Sequence, residues 1–105
     1  MKQQIFTVFD QKAEAYLPPF FLPAVGMAKR TFADCVRDKD HQFGMHPEDY
    51  TLIHLGEFED STGEITMLNP PKILGTGIEF NKITDPLEVM QKIEGEAKDG
   101  QEELQ

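Results

Sequence analysis

The stretch Tyr50-Thr51-Leu52-Ile53-His54-Leu55-Gly56-Glu57-Phe58, followed by Asp60-Ser61-Thr62-Gly63 and then Glu64-Ile65-Thr66-Met67-Leu68, decides the fold. Two runs rich in β-branched and aromatic residues flank a four-residue segment of turn formers, with Gly63 suited to a positive φ. That pattern predicts an antiparallel hairpin. Asn69-Pro70-Pro71 is expected to end its second strand, because neither proline can donate to a ladder. His54 alternates with Leu52 and Gly56 on one face and reads as a cross-strand packing residue.

Upstream of the hairpin, Gln4-Ile5-Phe6-Thr7-Val8-Phe9-Asp10 predicts a strand with Phe6 and Val8 on one side and Ile5, Thr7 and Phe9 on the other. Both sides are apolar, which places it centrally in a sheet. Residues 11–22 then pass into Leu17-Pro18-Pro19-Phe20-Phe21-Leu22, an aromatic loop whose tandem prolines impose extended geometry. Phe20 and Phe21 are expected to close over the core. Pro23 suits a first helical turn, and Ala24, Ala28, Thr31, Phe32 and Cys35 recur at helical spacing, which predicts a helix to about Asp38. Arg30 and Arg37 fall on its outer side, within reach of Asp34 and Asp38.

A polar linker over 39–49 leads into the hairpin. Lys72 to Lys82 fits either a short edge strand or an irregular wrap. Asp85-Pro86-Leu87-Glu88 carries a cap, a first-turn proline and a capping-box acid, and so predicts a C-terminal helix with Leu87, Met90, Ile93 and Ala97 on one face. The fold class is α+β: a small antiparallel or mixed sheet of three to four strands, one packed helix and the C-terminal helix. Residues 1–98 are expected to form a single domain and 99–105 an acidic disordered tail.

With 105 residues, 10 Lys and Arg against 19 Asp and Glu, a net charge of -9 and a pI near 4.6, the chain is no bulk-charge coat for DNA or anionic lipid. Seven of the acids, Asp85, Glu88, Glu94, Glu96, Asp99, Glu102 and Glu103, sit in the last stretch with Lys92 and Lys98. The lone Cys35 closes no intramolecular disulfide and suits a reducing compartment; on an apolar helical stripe it reads as a small core residue. No apolar run reaches signal-peptide or membrane-span length, so a soluble, cytosolic protein is expected.

Sequence motifs for catalysis are absent: there is no phosphate-binding glycine loop, nucleophile elbow or paired zinc-ligand signature. His41 and His46, with Asp40, Glu48 and Asp49 nearby, match no ligand spacing, and the chain is expected to carry no metal and no cofactor. A non-enzymatic binding protein is the expectation. For single-stranded DNA the candidate residues are Lys29, Arg30 and Arg37 as phosphate contacts, with Tyr16, Phe20 and Phe21 as stacking platforms. The apolar second side of the first strand needs cover in so short a chain, and a homodimer is the favoured source.

Several co-linear blocks carry a family resemblance. They are Gln4 through Tyr16, the Pro19-Phe20-Phe21 turn, Gln42-Phe43, His46-Pro47-Glu48-Asp49-Tyr50, Leu55-Gly56-Glu57-Phe58-Glu59-Asp60 and Thr62-Gly63. Together they resemble the small non-structural protein of gokushoviruses, single-stranded DNA phages of the Microviridae, over about residues 4–80. The resemblance implies an early, non-virion phage protein of the host bacterial cytoplasm. It is likened to the small coliphage protein that turns genome replication from duplex synthesis toward single-strand production and packaging. No catalytic or ligand residue carries over with it. The implied action is binding, to single-stranded DNA or to a phage or host replication protein; the alternative is a structural assembly or host-protein adaptor without nucleic-acid contact.

Overall fold

The computed structural model describes residues 1–82, and the expected C-terminal helix and tail lie outside the described residues. The central strand is β1 (Lys2–Asp10), buried from Ile5 through Val8. On one side β1 pairs with β4 (Tyr50–Glu59), and β4 pairs in turn with β5 (Glu64–Thr76). On the other side β1 carries β2 (Ala15–Tyr16) and β3 (Phe20–Leu22) in succession, so all pairings are antiparallel. The predicted hairpin is β4 and β5, with Gly63 at φ 76 in its turn.

Among the described residues the sheet has five strands, against the three to four expected. The extra two come from the segment read as a loop. Pro18 and Pro19 interrupt it, and the residues on either side add to the same edge of β1 as pieces of two and three residues. The Leu17 amide N–H donates to the Val8 carbonyl at 2.8 Å, and the Thr7 hydroxyl donates to the Leu17 carbonyl at 2.6 Å.

A second correction concerns Asn69-Pro70-Pro71, which does not end its strand. The ladder runs from Gly56↔Met67 directly to His54↔Lys72, so residues 68–71 bulge opposite Leu55 alone. Prolines placed in a bulge on an edge strand forfeit no ladder bond, and β5 resumes beyond them. The segment 72–82 is consequently half strand and half helix: β5 to Thr76, then α3 (Gly77–Lys82). Thr76 and Glu79 cap α3 reciprocally, the Glu79 Oε1 accepting the Thr76 amide N–H at 3.1 Å and the Thr76 Oγ1 accepting the Glu79 amide N–H at 3.3 Å.

The main helix, α1 (Val25–Arg37), starts two residues after Pro23, with Ala24 as its extended N-cap. Its buried residues are Ala28, Phe32, Ala33 and Val36, while Ala24 and Thr31 are exposed. The expected stripe is thus rotated, because Val36 has more surface to hide than Thr31. The polar linker folds as well, into α2 (Gln42–Met45), capped by His41 Nδ1 accepting the Phe43 amide N–H at 3.0 Å, and a 3-10 turn (Pro47–Asp49). Phe6, Val8, Leu52 and Tyr50 from the sheet meet Phe32, Val36, Phe43 and Phe80 from the helices in one core.

The far end of the hairpin is tied by charge. Glu59 accepts from the Met1 ammonium at 2.8 Å and from the Ser61 amide N–H and hydroxyl at 3.2 and 3.1 Å. These bonds, the ammonium foremost, lower its carboxyl from 4.5 to about 2. A depressed folded-state value gives stability that is complete above the ordinary carboxylate range and fades as pH falls toward about 2. Glu59→Gln is therefore expected to melt below the wild type near neutral pH, with the two melting temperatures converging by about pH 2.

Candidate functional site

Strand alternation sorts the sheet into two faces with different chemistry. Phe6, Val8, Leu52, His54 and Phe20 point toward the helices. A cross-strand row of rings runs there, with Phe6 stacked on Phe20 at 5.6 Å and on His54 at 5.0 Å. His54 is buried, and its Nε2 lies 2.9 Å from Gln4 Oε1 and 3.1 Å from the Gly56 carbonyl. Both partners accept, so Nε2 carries the hydrogen, and His54 is a packing residue as its strand position predicted.

The opposite face has no described helix over it. Register places Ile5, Thr7 and Phe9 of β1 there, beside Ile53 and Phe58 of β4 and Ile65, Met67 and Ile73 of β5. Tyr16 and Phe21 complete it at the other edge, in ring contact with Phe9 at 4.9 Å and Phe58 at 5.7 Å. Tyr16, Phe21, Ile65, Met67 and Ile73 are each between 45% and 69% exposed, too many large apolar side chains in one place for ordinary surface scatter. Two hollows mark the face. One, of about 510 Å³, is lined by Thr7, Tyr16, Leu17, Ile53, Leu55 and Ile73 among others. The second, of about 350 Å³, lies at the other end between Gln3, Phe21, Phe58, Asp60 and Ile65.

The six expected DNA-binding residues divide between these surfaces. Tyr16 and Phe21 share the open face. Phe20, adjacent in sequence to Phe21, points the other way, is half-buried, and packs against the core. Lys29 and Arg30 are exposed on α1, which covers the opposite side of the sheet, and Arg37 is half-buried at the end of that helix. The structure thus brings two of the aromatic rings together and leaves the two exposed candidate bases, Lys29 and Arg30, behind the sheet from them. Ile65, Met67 and Ile73, which the reading of the loop did not include, contribute as much open surface as the aromatics. Their signal was the alternation of the hairpin itself.

Two further clusters have defined geometry. His46, Glu48 and Asp49 bring their ligand atoms within 4.8 Å of one another around the 3-10 turn, and the His46 imidazole lies 3.8 Å from Glu48. His41, expected beside them, is occupied in capping α2. Cys35 lines a hollow of about 220 Å³ with Val8, Phe20, Phe32 and Phe43. Burial pushes its thiol upward, and Asp34 and Asp38 add to that shift. Among the described residues, no helix is long and apolar enough to cross a membrane.

Comparison with known families places this architecture. The Phage ORF5 protein family matches residues 3–80, from the first residues of β1 through the core residue Phe80 of α3. The chain belongs to the Phage ORF5 protein family. It is a phage protein, and the match covers both faces of the sheet together with α1. No curated protein and no solved structure matches the chain.

Proposed function

We propose that this Phage ORF5 family member is a non-enzymatic accessory protein of a single-stranded DNA phage of the gokushovirus group. It works in the host cytoplasm during genome replication or packaging, and it acts by docking on protein rather than by coating DNA. The observation that carries this reading is the division of the surface. The open sheet face offers exposed apolar side chains, and the exposed bases Lys29 and Arg30 lie on the helix behind it. Single-strand binders need bases and stacking rings along one groove, because the phosphate contacts supply affinity while the rings hold the bases. An uncharged, ring-bearing apolar surface suits the dry centre of a protein interface instead.

Co-purification from infected cells tests the reading. A tagged wild-type chain is expected to retain a phage or host replication or packaging protein after nuclease treatment. Ile73→Asp, at a side chain 69% exposed and outside the core, is expected to lose it. Capture that nuclease abolishes, or that Ile73→Asp leaves unchanged, contradicts protein docking through this face.

A further inference from the structure

The open sheet face also has the properties of a self-complementary surface. The five most exposed apolar side chains on it, at 45% to 69% exposure, present on the order of 500 Å², given that a large side chain buries about 150–250 Å² when covered. Half-buried neighbours such as Phe9, Leu55 and Phe58 extend the patch toward the roughly 800 Å² per partner of a stable complex. That approaches the area each partner gives to a standard interface.

Charge favours the same occupant. A chain with net charge -9 repels its own copy, so two copies meet at least cost where neither presents a charge. The face is such a place: the residues that register puts on it between Phe58 and Ile73 are uncharged, and Asp60 stands only at the rim of the smaller hollow.

Shape supplies the register. Ile65 and Met67, each 54% exposed, lie toward one end of the face, Ile65 on the wall of the smaller hollow, and the larger hollow of about 510 Å³ lies at the other, around Ile53 and Ile73. A two-fold axis through the middle of the face sets the Ile65 end of each copy over the larger hollow of its partner, twice in one interface. The two sheets then stack about 10 Å apart, face to face.

We propose that a second copy of this chain covers the open sheet face, forming a two-fold dimer in which Ile65 and Met67 of each copy seat in the hollow beside Ile73 of the other. The proposal rests on the reading of this face as a protein-docking surface and makes a second copy its resident occupant, so a phage or host protein captured through Ile73 competes with the dimer. It leaves α1, with Lys29 and Arg30, on the outside of the dimer.

Sedimentation of the full chain at micromolar concentration, with variants, tests it. The wild type is expected to sediment as a dimer. Ile65→Asp and Ile73→Lys should each raise the dissociation constant by at least about 30-fold, the effect of losing one strong interface residue. Mixing these two variants should restore a heterodimer, because the new carboxylate of one meets the new ammonium of the other. That rescue cannot arise from misfolding. Lys29→Asp should leave the dimer intact. A monomeric wild type, a dimer indifferent to both substitutions, or variants that fail to pair overturns the proposal. A monomer that still captures a phage or host protein through Ile73 overturns the dimer and leaves the docking reading standing. A dimer that captures none upholds the proposal and defeats only the capture of a phage or host protein.

Discussion

Phe6→Ala is expected to remove about 3–5 kcal/mol of folding stability, the range for deleting a fully buried aromatic ring. Phe6 is 0% exposed and sits at the middle of the central strand. Its ring stacks on Phe20 from β3 and on His54 from β4, so its loss removes the shared contact of three strands as well as the ring's own burial. The neighbours cannot collapse into the gap without distorting the ladder on both sides of β1, which keeps the cavity cost high. A domain of this size has a total stability of about 5–15 kcal/mol, so the variant should be close to unfolding. Urea titration reads the loss as a lower midpoint at unchanged slope. A loss under about 1 kcal/mol would contradict this account of the core.

The second large effect is expected at Gly56, in β4 between Ile5 and Met67. A Cβ there would run into the Thr66 carbonyl oxygen and stand 3.0 Å from the Met67 Cα. Both obstacles are backbone, so relief requires β4 and β5 to part where they pair. Gly56→Val is expected to cost about 1–3 kcal/mol or more by overpacking, with amide protection lost first over Glu64–Leu68. Gly26 provides the control. It is exposed within α1 and has nothing within 4 Å of its would-be Cβ, so Gly26→Ala should instead stabilise by about 0.5–1 kcal/mol. Hydrogen exchange together with urea unfolding measures both variants.

Much of this framework is legible in the sequence where periodicity is long. The two-sided apolarity of β1 and the turn chemistry at Asp60–Gly63 lead directly to the central strand and the hairpin. What periodicity misses is short or interrupted. Strands of two and three residues around Pro18 and Pro19 carry too little alternation to declare themselves; they exist because β1 offers them an edge. The prolines at 70 and 71 signal a strand end only if every residue must pair, and the bulge opposite Leu55 removes that need. Gly75 has φ 151 and leaves room for the Phe80 ring, so β5 can turn there into α3. A local signal was present there too, since Thr76 and Glu79 hold capping-box spacing.

The candidate site divides along the same line. Phe20 and Phe21 are neighbours in sequence, and once they lie in a strand one must face the core while the other faces away. Which face α1 covers is a tertiary fact that no local pattern contains. It is this placement that separates Lys29 and Arg30 from Tyr16 and Phe21, and leaves the Tyr16 and Phe21 side of the sheet open.

Fluorescence anisotropy with a labelled single strand at low salt, comparing the wild type with the Tyr16→Ala, Phe21→Ala double variant, tests that separation most directly. A stacked base is worth about 1–3 kcal/mol, so two rings that received bases would cost at least tenfold in affinity when removed. Protein docking by this face predicts that whatever DNA affinity the wild type has changes by less than about twofold. A loss of tenfold or more, with the fold retained, would show that the open face receives nucleic acid and would contradict the account.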